Sequence, residues 1–204
     1  MYVNQCVKCV DFPCMDVKHE NYIVPNVDID PRAVSLVLIS EAAPPNLDDY
    51  YYASGDPLFQ QTTVQAFNDA GARASSIQDL IAMGVYFTTA VKCGKTDYTI
   101  KAATVKTCSH ILEQELALFP NIRAFLLMGD VAIKAVNYIA KRAGDARVIP
   151  AGSTYKIRGQ EYFFRGSRAF PSYVQAGPSF FIEKSKRKMI AEDIGAALRL
   201  IRNA

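Results

Sequence analysis

Strand-length apolar runs alternate with helix-length segments along most of this chain, and that alternation limits the fold more than any other feature. Residues 33–40 (AVSLVLIS), 84–91 (GVYFTTAV) and 123–128 (RAFLLM) read as buried strands rich in β-branched, aromatic and aliphatic side chains. Residues 59–70 read as a helix stopped by Gly71, and 99–119 as one ended by Pro120. Gly129-Asp130 opens a third over 131–143, with Gly144 at its end, and 182–202 forms a long last helix. Residues 155–157 and 161–164, flanking Arg158-Gly159-Gln160, predict a hairpin. Strand–helix alternation predicts an α/β fold with a largely parallel sheet and helices on both faces. The 204 residues suffice for one large domain with a substantial core, spanning 1–204. The segments 41–57 and 170–178, rich in turn residues, are long enough to be functional loops at the sheet's ligand-binding edge.

Five cysteines add a second constraint. Cys6, Cys9 and Cys14 crowd the N-terminus; Cys93 and Cys108 lie far downstream. A CxxC pair with two distant partners is what a four-thiolate iron–sulfur or zinc site needs, and such a site ties segment 1–20 to the body. Burial as small hydrophobes is the other reading and suits Cys108 best. An odd count, and a start (MYVNQCVKC) without a basic then apolar leader, speak against a disulfide framework and for the cytoplasm. No apolar run reaches bilayer-spanning length, so no membrane partner is expected.

Net charge is +3, too small to name a partner. Its distribution says more: Lys184, Lys186, Arg187 and Lys188 form a basic run, with Arg158, Arg165 and Arg168 upstream. That third of the chain is compatible with a phosphate backbone, and a solvated helix face is the alternative. Glu41 directly follows a buried strand, where a carboxylate can orient water or stabilise a cationic transition state; Asp48 and Asp49 read as solvated. Tyr50, Tyr51, Tyr52 and Phe59 offer flat faces for stacking on bases, or pack with a wet hydroxyl. His19 and His110 join no Ser–His–Asp constellation, and no P-loop or GxGxxG is present.

Four stretches taken in order resemble the uracil-DNA glycosylase superfamily, most closely its iron–sulfur, family-four-like branch. Ile39-Ser40-Glu41-Ala42 with Gly55-Asp56-Pro57-Leu58-Phe59 resembles that family's GEAPG and GxPF segments. Tyr86-Phe87-Thr88-Thr89-Ala90-Val91-Lys92-Cys93 resembles its YITNVVKC strand. Phe125-Leu126-Leu127-Met128-Gly129-Asp130-Val131-Ala132 resembles its third strand and the turn after it. Phe170-Pro171-Ser172-Tyr173-Val174-Gln175-Ala176-Gly177-Pro178 resembles its late HPA-type loop.

The resemblance implies a three-layer α/β/α sandwich around a short, mainly parallel sheet, acting in DNA base-excision repair; a monomer is expected. It implies a 4Fe-4S cluster (zinc being the alternative) on Cys6, Cys9, Cys93 and Cys108, with Cys14 surplus or replacing an N-terminal partner. It implies flipping of a uracil or other deaminated base from single-stranded or duplex DNA, then hydrolysis of the N-glycosidic bond. Glu41 would act on water or the sugar cation, Phe59 would stack on the base, and Ala42 and Thr89 would border it. The late loop, through Pro171, Gly177 and Ser179, would grip DNA, extended by Lys184, Lys186, Arg187 and Lys188.

Three departures fall at the active site. Thr89 stands where the family has an asparagine, replacing a donor and an acceptor with one hydroxyl. Phe170 replaces a histidine, so charge on the departing base needs another partner, for which Ser172 is the candidate. Ser40 and Ala43-Pro44 replace the glycine and proline of GEAPG. The departures describe a divergent subgroup with altered specificity. Two alternatives stand beside it: a non-catalytic nucleic-acid-binding protein on the same fold, and a zinc-stapled protein with an unrelated small-molecule substrate.

Overall fold

A computed structural model describes residues 1–97 and 99–202. In chain order the helices are α1 (Val3–Cys6), α2 (Leu58–Asp69), α3 (Ile77–Ala82), α4 (Ala102–Leu116), α5 (Asp130–Arg142), α6 (Thr154–Ile157), α7 (Ser179–Ile182) and α8 (Lys184–Arg202). The strands are β1 (Val17–Lys18), β2 (Leu36–Ala43), β3 (Val85–Lys95), β4 (Ala124–Met128), β5 (Tyr162–Phe164) and β6 (Ser167–Ser172). They form one sheet in the order β1-β3-β2-β4-β6-β5. The inner four strands are parallel; the two short edge strands are antiparallel to their neighbours.

The period-2 geometry of a strand explains the layers. Leu36 and Leu38 of β2, Val85 and Phe87 of β3, and Leu126 and Met128 of β4 face a cluster with α2, α3 and α8. Val37, Ile39, Tyr86, Phe125 and Leu127 face the other way, onto α4 and α5. Both faces are covered, so the inner strands are apolar on both sides. The three-layer α/β/α architecture with a mainly parallel sheet is therefore present.

Several local expectations are corrected. The first strand runs on through Glu41 to Ala43, with a register shift between Ala42 and Ala43. The next extends to Lys95, because β1 pairs with Gly94 and Lys95 and prolongs it. Helix α3, which the sequence reading passed over, starts at a reciprocal capping box between Ser76 and Asp79. The hairpin turns at Arg165-Gly166, not at Arg158-Gly159-Gln160. Both turn residues have positive φ (52° and 80°), the geometry a tight hairpin demands. Residues 170–172, expected in a loop, complete β6 beside β4.

Beneath the sheet on the α4 side lies a fully buried ion pair between Lys92 and Glu115. Lys92 Nζ also donates to Thr88 Oγ1 (2.6 Å) and Thr89 O (2.7 Å). Glu115 accepts from Tyr86 (2.6 Å) and Thr88 (2.8 Å), so each charge is paired and hydrogen-bonded. Among the described residues no helix is long and apolar enough to cross a membrane.

Candidate active site and cysteine cavity

The chain runs from β2 to β3 on one side, then crosses to β4 on the other. The crevice beyond the carboxyl ends of β2 and β4 is thus the topological switch point, where open parallel sheets hold ligands. A cavity of about 610 Å³ sits there. Strand β2 delivers Ser40, Glu41 and Ala42 to its wall; Gly129 and Asp130 follow β4; Tyr173, Val174 and Ala176 follow β6. Phe59 enters from α2, and Lys95 from the end of β3.

Glu41 is partly shielded, and its Oε2 lies 3.3 Å from Lys95 Nζ. Gly129 makes room for it. A Cβ there would lie 2.8 Å from Glu41 Oε1 and 2.5 Å from Val174 Cγ2. Its φ of 96° and ψ of 170° also belong to a region that glycine alone enters readily. The result is a carboxylate with acceptor oxygens on a mixed polar and apolar cavity, with a cation alongside. Asp130, also on the wall, is exposed and pairs with Lys134, another lining residue, at 3.4 Å.

The tyrosines divide from Phe59. Tyr50 and Tyr51 are wholly buried and Tyr52 is partly so. Tyr51 donates to Ser40 Oγ (2.8 Å) and Tyr52 to Phe87 O (2.9 Å). Burial pushes all three phenols up, Tyr51 to about 12. They pack the interior; of these four aromatics Phe59 alone lines the cavity, its ring 5.2 Å from that of Tyr51.

Thr89 is fully buried on β3, opposite Ser40, and does not line the cavity. Its hydroxyl, that of Tyr50 and the side-chain oxygen of Gln175 have no hydrogen-bond partner among the described residues. Gln175 does donate to Tyr51 (2.8 Å) and to Thr63 (3.2 Å).

The late segment also departs from expectation. Ser172 is buried and donates to Asp193 Oδ2 at 2.6 Å. Arg158 grips that carboxylate at 3.0 and 2.8 Å. The Ser172 hydroxyl is thus bonded to α8 and lies off the cavity wall. Pro171 is buried in β6 beside Leu127. Gly177 (φ 110°) is buried and precedes the turn into α7, where Ser179 reaches the cavity.

Of the basic run, Lys186 lines the cavity, 2.8 Å from Glu183 and 5.6 Å from the centre of the Tyr173 ring. Arg187 makes a two-pronged pair with Asp69 of α2 at 2.5 and 2.9 Å. Its guanidinium holds the Asp69 carboxyl below the usual range. Lys184 and Lys188 are exposed.

The second cavity, about 320 Å³, is bordered by Cys9, Cys14, Cys93 and Cys108, with Val17, Val91 and Ile111 among its apolar walls. All five cysteines are free thiols. Cys6 lies outside this cavity, exposed, with its Sγ 3.6 Å from Tyr2 O in its own helical turn. Of the expected grouping, Cys9, Cys93 and Cys108 border this cavity together with Cys14, and Cys6 does not.

Burial, reinforced by the neighbouring thiols, pushes Cys93 to about 12, and burial pushes Cys108 to about 11; Cys14 is raised as well. The backbone N–H of Lys92 donates to Cys108 Sγ at 3.2 Å.

Among the described residues no group of three or more His, Cys, Asp or Glu forms a site for a metal ion. Zinc requires its donors drawn in to about 2.3 Å. The four thiols share this cavity with His19 and His110, and four soft donors on one cavity are the donor chemistry that a larger group bringing its own atoms, such as an iron–sulfur cluster, would need.

Lys95, Gly129 and the Lys92–Glu115 pair escaped the sequence reading of the site. Their side-chain partners, or the space they leave, come from segments distant in the chain.

No family model matches this chain, and no curated protein matches it. Among solved structures it is similar to the wild-type UNG crystal structure from Nitratifractor salsuginis, with 14% identity and a TM-score of 0.42, over 86% of this chain and 81% of that one. A likeness of this degree says nothing about individual residues.

Proposed function

We propose that the chain is a DNA base-excision glycosylase that hydrolyses the N-glycosidic bond of a flipped uracil or other deaminated base. One observation carries the reading. Glu41, Phe59, Gly129 and Val174, from separate stretches that carry the sequence resemblance, border a single cavity at the switch point of the sheet.

The flipped base enters this cavity and stacks on Phe59, with the backbone around Ala42 along its edge. Water attacks the sugar C1′ while the C1′–N bond breaks, and its electron pair leaves with the base. Glu41 orients that water, accepts its proton and balances the positive charge that develops on the sugar. Lys95, beside Glu41, supplies a cation near the reaction that Phe170, packed within the fold, cannot. The departing base then takes up a proton from solvent. With Thr89 off the cavity wall, no side-chain amide selects uracil at that position, which favours a broader set of deaminated bases.

Ser179 and Lys186 at the rim, with exposed Lys184 and Lys188, form the phosphate-facing side. Cys9, Cys14, Cys93 and Cys108 would hold an iron–sulfur cluster, which would link the N-terminal segment to β3 and α4.

The test is base release from oligonucleotides carrying uracil, hypoxanthine or xanthine, single-stranded and mispaired. Release is expected from the native protein and lost in Glu41→Gln, with DNA affinity retained. Release that survives Glu41→Gln removes Glu41 from the mechanism. The Glu41–Lys95 ion pair favours a second reading, in which the carboxylate is neutralised and the protein binds DNA without chemistry. Salt-dependent binding without release of any base would establish that reading instead.

A further inference from the structure

We infer that the thiolates of the iron–sulfur site are Cys9, Cys14, Cys93 and Cys108, with four residues separating the N-terminal pair, and that Cys6 of the CxxC stays outside it. The observations are geometric. Cys9 and Cys14 come from the N-terminal segment, Cys93 from β3 and Cys108 from α4, and all four border one cavity. Cys6 borders neither cavity described above.

Local packing keeps Cys6 away. It closes the single turn of α1, whose Val3 is fully buried in the core. Val7, on the other side of Cys6, is 2% exposed. The amino terminus adds an anchor: Met1 N donates to Asp28 and to Ile29 O, both at 2.7 Å. Bringing Cys6 to the cavity would unwind this turn and draw both valines from the interior, exposing apolar surface.

Cys14, by contrast, is held where it is needed. Its carbonyl accepts from the His19 ring. Two residues on, Asp16 accepts from the backbone N–H of Lys101 (2.7 Å) and from Thr104 on the first turn of α4, the helix that carries Cys108. The backbone N–H of Cys9 donates to Tyr22 at 2.7 Å, and the Phe12 ring between the two cysteines packs edge-on against the Tyr22 ring at 5.0 Å. The loop carrying this pair is therefore positioned by contacts that need no metal. Both cysteines border the cavity they share with Cys93 and Cys108, and the Lys92 N–H donates to Cys108 Sγ.

The test uses full-length protein purified anaerobically and reads iron and acid-labile sulfide per chain, with the visible absorbance. None of these depends on base release, so a failed glycosylase assay and a failed ligand assignment are separate results. Cys6→Ala is expected to keep the iron and sulfide of the parent; Cys14→Ala is expected to lose them. Loss in Cys6→Ala, retention in Cys14→Ala, or a parent protein that holds zinc or no metal each overturns the assignment.

Thiol labelling of the loaded parent protein gives a reading that does not depend on the folding of Cys14→Ala. A maleimide is expected to modify Cys6 quickly and Cys14 only after the iron is removed. Equal labelling of Cys14 and Cys6 in the loaded protein overturns the assignment.

Discussion

Replacing Lys92 by methionine removes a buried charge while keeping most of the side chain's bulk. Lys92 and Glu115 are both fully buried, and each is the other's counter-charge. In Lys92→Met, Glu115 retains the Tyr86 and Thr88 donors at 2.6 and 2.8 Å but has no cation. Thr88 and the carbonyl of Thr89 also lose a donor. Removing one partner of a buried pair costs about 3–5 kcal/mol, because the remaining charge is desolvated without compensation. With a urea slope of about 2 kcal/mol per molar, the unfolding midpoint should fall by roughly 1.5–2.5 M. Urea titration followed by circular dichroism measures this directly. The double variant Lys92→Met/Glu115→Gln removes the orphaned charge but keeps an acceptor for both hydroxyls, and should recover more than about half of the loss. A single-variant shift below about 0.5 M, or a double variant less stable than the single, would refute uncompensated charge as the cause.

Two further outcomes follow from the geometry. Gly129→Ala forces a Cβ toward Val174 and Glu41 at a backbone conformation suited to glycine. It should cost about 1–3 kcal/mol, or roughly 2–4 °C of melting temperature per kcal/mol, and depress base release by displacing Glu41; an unchanged melt would show that the turn relaxes freely. Asp69 is held below the usual carboxylate range by Arg187, so the unfolded chain binds more protons than the folded one as pH falls. Its stabilisation is present above the unfolded value of about 3.9 and disappears as pH drops through the folded value. Acid titration of Asp69→Asn should therefore show a smaller loss of stability below about pH 4 than the parent, and an equal loss would remove the Arg187 pair as the cause.

The layers of the fold were legible because they rest on short-range pattern. Apolar runs of strand length and helices closed by Gly71, Pro120 and Gly144 carry their own periodicity and stop signals. The position of Glu41 on the cavity was legible for a related reason: it lies near the carboxyl end of a buried strand in a parallel sheet, and strand ends are where such sheets bind ligands. The turn at Arg165-Gly166 was missed because Arg158-Gly159-Gln160 looks equally turn-like. What separates them is distant: Arg158 is held by Asp193, 35 residues on.

The sequence by itself determined the alternation, the carboxylate at the end of the first central strand and the supply of thiols, all properties of neighbours along the chain. The tertiary structure decided which of those groups meet. It drew Tyr50 and Tyr51 into the core, joined Ser172 to α8 and buried Lys92 against Glu115. It also turned Cys14 rather than Cys6 toward Cys93 and Cys108. Each of these choices was made by partners or packing from elsewhere in the fold, where burial penalises any polar group left without one.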